Sequence, residues 1–348
     1  MVRIRIAEKH DGHAWDEFVT GHGLSGPFHL FAWREAVGRA YGHTSRYLVA
    51  HNDAGAIEGV LPLILVKPPF LQGYLVSLPF CDYGGPLARS PEAAGLLVRR
   101  AAELARSSRS KLEIRCAGPD TSMQAAPSLG PVSHKSRMLL DLPGSATVLW
   151  DSFKSKLRSQ IRRPQKDGME FRMGSADYLD HFYHVFSTNM KELGSPVHAR
   201  AWIASVLDAY GGRAHVGMVY RGAEPVAGGV VIEHRDTVTI PWASALSAYS
   251  RSSPNMLLYW GFLRYAADNG FKRFDFGRST PGEGTYLFKA QWGARPEPLS
   301  WYVEGNADAQ DAAAKPGRIR QAVASVWSRL PGDVANALGP RIRGYITL

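Results

Sequence analysis

Cysteine is scarce in this chain: only Cys81 and Cys116 occur among 348 residues. They lack metal-ligand spacing and cannot build a framework of bridges, so both read as reduced, small, partly buried side chains. Twelve histidines are scattered without an HExxH or similar cluster, which speaks against a metal site. No Gly-x-Ser-x-Gly elbow is present, so a serine hydrolase has no support. Long hydrophobic runs are missing as well. The longest, such as residues 59–66, fall far short of a bilayer span. The opening Met1-Val2-Arg3-Ile4-Arg5-Ile6 alternates like a strand and lacks the apolar core of a signal peptide, which places the protein in the cytoplasm. Acidic residues are in deficit, 31 against 41 Lys and Arg, giving a net charge of +10. That balance favours an anionic partner such as nucleic acid, a phosphorylated substrate or the inner face of a membrane, and the plainer alternative is a basic surface kept for solubility.

What is present is globular. Hydrophobic residues make up 45% and charged residues 21% of a chain long enough for two domains. Apolar spacing predicts a helix over 11–19 and another with Leu30, Trp33, Val37 and Tyr41 on one face, ended by Gly42. Strands are expected at 45–50, 57–66 and 71–78, a helix at 91–105 and a strand at 111–116. The same order returns in the second half. Helices at 178–193 and 200–210 precede strands at 214–220, 225–233 and 237–243. Ser253 as N-cap and Pro254 at the first helical position then start a helix to Asp268, and a strand follows at 271–276. Two copies of one α+β unit are the simplest account, with Asp82 and Tyr83 on a Gly-Pro loop of the first.

Between the copies lies the most basic segment, 151–163. Phe153, Leu157 and Ile161 would face the protein, while Lys154, Arg158 and Arg162 form a parallel stripe. The stripe is either an electrostatic rail for phosphates or a solvated face. Pro164 is expected to kink or end this helix. After Val303, residues 304–316 read as a linker and 317–330 as a basic helix with Ile319, Val323, Val326, Trp327 and Leu330 on one side, expected to pack on the first domain; contact with anionic lipid is the alternative.

The densest cluster of chemistry is Phe274 to Gly293, FDFGRSTPGEGTYLFKAQWG. A short apolar strand delivers Asp275, then a glycine-rich loop gathers Arg278, Tyr286, Lys289 and Trp292. A ligand bearing phosphate or carbonyl groups would use them; otherwise they are a surface hairpin capping the core. Lys289 can supply positive charge and Arg278 a bidentate clamp, while Tyr286 and Trp292 can exclude water or stack on a flat group. Asp275 can accept a proton or orient an amine, or be a strand-end carboxylate bonded to backbone donors. His198, after a proline at a helix start, reads either as a structural hydrogen-bonding group or as a site residue. A nucleic-acid-binding module would interleave stacking aromatics with basic residues, and here the aromatics fall mainly at core spacing.

Four stretches in order, Asp82-Tyr83-Gly84-Gly85-Pro86, the basic run 156–168, Gly194-Ser195-Pro196-Val197-His198, and Phe274-Asp275-Phe276-Gly277-Arg278 through Phe288-Lys289 to Trp292-Gly293, resemble the Fem-type aminoacyltransferases (FemA, FemB, FemX). Closest in pattern are the FemAB-like proteins found with bacterial exopolysaccharide and PEP-CTERM sorting systems. The resemblance spans Phe28 to Trp301. It implies an α+β fold of two tandem GNAT-like acyltransferase domains, with mixed, largely antiparallel sheets flanked by helices. Residues 1–146 would form the first domain, with 306–348 packing back on it, and 147–305 the second, carrying the transfer site. It implies transfer of an acyl or aminoacyl group to an amine of a cell-envelope precursor, related to peptidoglycan or exopolysaccharide. Lys289 would meet the acceptor's diphosphate and stabilise charge at the reacting carbonyl, with Asp275 beside it. Arg278, Tyr286, Trp292, Asp82, Tyr83, His198, Asn255, Lys154, Arg158 and Arg162 would contact substrate. No bound cofactor is implied; the donor would be aminoacyl-tRNA or acyl-CoA, the acceptor an anionic small molecule or lipid-linked precursor, with peripheral contact at the inner membrane face. Two family features are missing: a helical-hairpin insertion in the second domain, and a Q/R-x-x-G-x-G/A loop before the Ser253 helix, where Tyr249-Ser250-Arg251-Ser252-Ser253-Pro254-Asn255 stands. An acyl-CoA-dependent N-acyltransferase making N-acyl amino acids or amino sugars is the nearest rival.

Overall fold

The computed structural model describes residues 1–133, 135–305 and 324–347. In chain order they form β1 (Arg3–Ile6), α1 (Gly12–Gly21), α2 (Phe31–Tyr41), β2 (Thr44–Ser45), β3 (Leu48–His51), β4 (Ile57–Leu61), β5 (Ile64–Val66), β6 (Gly73–Ser77), β7 (Leu87–Ala88), α3 (Pro91–Ser107), β8 (Ser110–Cys116) and β9 (Leu129–Pro131). There follow β10 (Ser136–Asp141), α4 (Ala146–Ser152), α5 (Ser155–Lys166), β11 (Met169–Gly174), α6 (Leu179–Glu192), α7 (Arg200–Tyr210), β12 (Ala214–Arg221), β13 (Glu224–His234) and β14 (Thr237–Ala245). The last elements are α8 (Pro254–Asp268), β15 (Arg273–Ser279), α9 (Gly284–Ala290), β16 (Arg295–Pro298), β17 (Ser300–Glu304) and α10 (Gly332–Arg343).

The chain divides into two compact units. Of the described residues, the first holds those in 1–137, 297–305 and 345–347; the second holds 138–296 and 324–344. This differs from the sequence-based division at one place in particular. Among the described residues, 324–344 belong with the second unit, and only 345–347 belong with the first. The reason is steric: α10 turns Ala335 and Gly339 inward, and a Cβ on Gly339 would stand 3.1 Å from the Val197 backbone nitrogen. Apart from Glu304, which ends β17, and Gly305, the expected linker and the start of the basic helix lie outside the described residues. Its described end has Trp327 buried and Val326 63% exposed.

The first unit contains a four-stranded sheet, β1-β3-β4-β7, and a six-stranded sheet, β2-β5-β6-β8-β17-β9. The single strand expected over 57–66 is two strands, because Pro62 lies between β4 and β5 and the chain changes sheets there. The second unit contains one mixed sheet of seven strands, β11-β12-β13-β14-β15-β10-β16. Helices cover both its faces, and β13 shows how. A Cβ on Gly228 would meet Phe182 of α6, and one on its neighbour Gly229 would meet Phe262 of α8. Adjacent strand residues point to opposite faces, so α6 and α8 pack on opposite sides, each close enough to need a glycine. The α8 side carries a large apolar core. Phe153, Leu157 and Ile161 of the basic segment are buried in it beside Phe274 and Phe276, as the spacing predicts. Pro164 does not end α5, which continues to Lys166 with the proline buried. No helix among the described residues is long and apolar enough to cross a membrane.

Candidate active site

β14 and β15 run parallel but pair at three positions only, Thr237–Arg273, Val238–Phe274 and Thr239–Asp275. Beyond these the two strands make no further pairing among the described residues, and the cause is local. In β14, Pro241 has no N–H to donate and stands where the register against β13 shifts between Val230 and Ile232. In β15, Gly277 adopts φ 70°, a left-handed conformation that side chains resist.

The peptide groups released by this turn are taken up by side chains. Asp275 Oδ1 accepts from the Gly277 N–H at 2.8 Å. Lys289 Nζ donates to the carbonyl oxygens of Gly277 at 3.1 Å and Arg278 at 2.8 Å. A buried backbone polar group left without a partner costs about as much as a lost hydrogen bond, so these two side chains satisfy peptide groups of β15 where it parts from β14. Both are deep: Asp275 is 1% and Lys289 8% exposed. Where the strands part, a carboxylate and an ammonium are thus bound to opposite ends of one glycine residue. Low-dielectric surroundings strengthen the effect of that ammonium on any charge developing nearby.

The helix α9 brings Lys289 there, and an aromatic cluster fixes α9. The Tyr259 ring stacks on Phe276 at 5.5 Å and meets Phe288 edge-on at 5.0 Å. Trp292 packs edge-on against Phe153 at 5.6 Å. Phe288 and Trp292, one turn apart, anchor the chain to the core, and Lys289 between them is aimed at β15.

The structure brings Asp275, Arg278 and Lys289 together on β15 and α9, with Tyr286 half-buried on the same helix. Trp292 departs from expectation. At 1% exposure, within the aromatic core, it has no face for a ligand to stack on. Asn255 lies half-buried in the first turn of α8. The preceding Ser253 does not cap that helix: it is left-handed, at φ 54°, and its side chain makes no capping bond. His198 is buried beside Trp202 and Trp242, and its carbonyl accepts from the Tyr183 hydroxyl at 3.0 Å. Burial, reinforced by the charge of Arg343, holds its imidazole well below the ordinary range and therefore neutral. The stripe of Lys154, Arg158 and Arg162 is less bare than the sequence suggests. Arg158 lies 3.9 Å from Asp151, and the Arg162 guanidinium lies over Trp150 at 5.1 Å.

Asp82 and Tyr83 belong to the first unit. The Asp82 carbonyl accepts from the Trp301 indole N–H at 2.9 Å. Tyr83 is 3% exposed, edge-on to Phe28 at 5.4 Å and covered by the Arg137 guanidinium at 5.3 Å, so it is a core side chain and not a groove wall.

Sequence reasoning missed three residues here: Gly277, Tyr259 and Thr239. Thr239 is opposite Asp275 at the point of parting, 1% exposed, and its hydroxyl makes no hydrogen bond among the described residues. A threonine interrupting the apolar run Val238 to Ile240 was the available signal for it; Tyr259, in an apolar helix, gave none that separates it from ordinary core.

Comparison with known proteins gives the same architecture. Residues 151–290 match the family described as Acetyltransferase (GNAT) domain. No curated protein matches the sequence. The crystal structure of FemX is 16% identical, covering 86% of this chain and 96% of its own, with a TM-score of 0.66. The C-terminal domain of a putative lysylphosphatidylglycerol synthetase from Agrobacterium fabrum is 15% identical, covering 87% and 94%, with a TM-score of 0.59. A tandem GNAT protein from the clavulanic acid biosynthesis pathway is 13% identical, covering 87% and 98%, with a TM-score of 0.55. At such identities the solved structures establish the fold alone. The second unit therefore carries a GNAT domain, the chain has a tandem GNAT-like α+β fold, and it is an enzyme of the acyltransferase class.

Proposed function

We propose that the protein transfers an acyl or aminoacyl group to an amine of a cell-envelope precursor, and that the parted end of β14 and β15 is where transfer occurs. The observation that carries this reading is Lys289. It is a buried ammonium placed on the backbone carbonyls of the diverging strand. Attack of a neutral amine on an ester or thioester forms a C–N bond and breaks the C–O or C–S bond. It requires that the reactants be aligned, that the oxyanion be stabilised and that the amine lose a proton. Lys289 supplies positive charge to the oxyanion, and Arg278 offers a bidentate grip on an anionic portion of the acceptor. The Thr239 hydroxyl orients a polar group at the point of parting. Asp275 either takes the amine proton or acts through Gly277, whose N–H it holds.

The acceptor class is supported by likeness. FemX shares the fold, as does a putative synthetase named for lysylphosphatidylglycerol, an aminoacylated lipid. A second reading of the donor has its own observation. Past Thr239 the β15-facing edge of β14 is left without a strand, which suits a thin amide-bearing chain such as the pantetheine arm of acyl-CoA, adding as a strand. The basic α5 favours charged tRNA instead. Incubating the protein with aminoacyl-tRNA and with acyl-CoA separately, each with a panel of amine acceptors, and identifying acylated product by mass spectrometry decides between them. Product from neither donor overturns the reading.

A further inference from the structure

The C-terminal helix α10 is packed with its sides reversed. A surface helix ordinarily buries its large apolar residues and exposes small or polar ones. Here Ala335 and Gly339 face the second unit, while Val334, Leu338 and Ile342, one turn apart along the helix, are 40%, 41% and 44% exposed. The apolar surface extends past the helix. Ala324 lies against Gly194, at the end of α6. The neighbouring Leu193 is 64% exposed, and Val326, two residues beyond Ala324, is 63% exposed.

The charge around this surface is mainly basic. Among the described residues from 324 to 347, Arg329, Arg341 and Arg343 stand against Asp333 alone, and Lys191 and Glu192 precede Leu193. Arg329 and Arg341 are exposed. The stripe itself is narrow. Twelve residues of helix are roughly 18 Å long, whereas a stable protein interface takes about 800 Å² from each partner. An apolar ridge of this size, flanked by arginines, fits the headgroup region of an anionic bilayer, which a helix can enter one face deep while its arginines meet lipid phosphates.

We propose that α10, with Val326 and Leu193, is a membrane-docking surface for anionic lipid. None of Leu193, Val326, Leu338 or Ile342 is assigned a part in transfer, so the test does not depend on the donor or acceptor. The full-length protein is sedimented with phosphatidylglycerol-containing vesicles and, separately, with pure phosphatidylcholine vesicles. Binding to the first and not the second, weakening as salt is raised, is expected. The double substitution Leu338→Ser and Ile342→Ser, and separately Arg329→Glu with Arg341→Glu, should each lower the apparent affinity about ten-fold. All four residues are exposed, so thermal unfolding should be unchanged. Wild-type protein left in the supernatant, or serine variants that bind like wild type, would overturn the proposal. So would a concentration-dependent dimer that the serine variants abolish, because the stripe would then be a contact between two copies.

Discussion

Each unit contains a pair of parallel strands separated by a long helix, and the two pairs end differently. In the first unit β6 and β8 are paired at five positions, from Gly73–Ser110 to Ser77–Ile114. Immediately beyond, Arg115 closes the space. It is 1% exposed and donates to the carbonyls of Leu78, Cys81 and Thr347, to the Thr347 hydroxyl and to Glu113, with its guanidinium over Trp301 at 5.0 Å. In the second unit β14 and β15 stop pairing after three positions, and the buried cation, Lys289, donates to the Gly277 and Arg278 carbonyls of β15 just beyond the parting. The same topology thus carries a cation at the same end with opposite results. A forked guanidinium with five donors can draw several chain segments together into a plug, while an ammonium on a flexible stem needs only a few partners and leaves an opening. This contrast is the reason for the proposal that transfer occurs in the second unit, where the family match also falls.

A crossed pair of substitutions tests the contrast most severely. Arg115→Met would leave the Glu113 carboxylate, 9% exposed, without its partner. Breaking a buried pair in this way costs about 3–5 kcal/mol, read as a lower urea midpoint, with turnover per folded molecule unchanged. Lys289→Ala should show the reverse emphasis, a roughly 10²–10³-fold fall in kcat with the circular dichroism spectrum retained. Near-normal turnover in Lys289→Ala removes that residue from the mechanism. Loss of turnover in folded Arg115→Met would mean that the first unit also takes part in the chemistry.

Acid should separate the units as well. His234 in the second unit is buried near Arg235 and Arg213, and burial chiefly lowers its pKa from 6.5 to about 4. The unfolded chain then binds more protons than the folded one between those values. The stability contributed is complete above pH 6.5 and is lost as pH falls toward 4, by about 2 kcal/mol at pH 5. His198 acts in the same direction. The first unit has its counterpart in Asp11, whose hydrogen bonds from Arg5 lower its pKa from 3.8 to about 2. A depressed carboxylate contributes above pH 3.8 and its contribution is lost only as pH falls toward 2. Hydrogen exchange across an acid series should therefore show the second unit loosening first, and His234→Gln should flatten that part of the profile. Simultaneous loosening of both units near pH 3 would contradict the assignment.

Much of the second unit was legible in the sequence because its elements are long and end on clear signals. α7 spans the expected 200–210, and α8 runs from Pro254 to Asp268 as read. The first unit was harder, since its strands are short and change sheets at Pro62, and periodicity along one segment carries no information about which sheet it joins. α9 was hidden by the glycines at 282, 284 and 293, which mark a loop to any local reading; the aromatic anchors Phe288 and Trp292 that stabilise it act through tertiary packing. α10 was obscured by Gly339 and Pro340, residues disfavoured in helices. The site was half legible. Lys289, Asp275 and Arg278 are unusual enough in type and proximity to be found from sequence. The reason they matter, Gly277 turning left-handed so that its two peptide groups pass to Asp275 and Lys289, depends on a backbone angle that composition does not encode.

The smallest expected effect concerns the helices beside the two strand pairs. α3 in the first unit mixes its charges, with Arg100 paired to Glu103 at 2.8 Å. α5 in the second unit has no acidic residue from Ser155 to Lys166. If the basic helix guides an anionic substrate, Lys154→Glu, Arg158→Glu and Arg162→Glu together should weaken its binding at low salt while the matching reversal of Arg99 and Arg100 on α3 does not. The effect should be roughly ten-fold, because exposed charges are individually worth little and because Arg158 and Arg162 already have local partners in Asp151 and Trp150. Raising the salt should close the gap between wild type and the α5 variant, since a Debye length of about 8 Å at physiological ionic strength screens such contacts. An α5 variant that binds like wild type at low salt makes the stripe solvated surface. With Arg106 of α3 also reversed, so that the charge change is the same, an α3 variant that loses affinity equally makes the effect one of net charge, and the contrast between the two helices disappears.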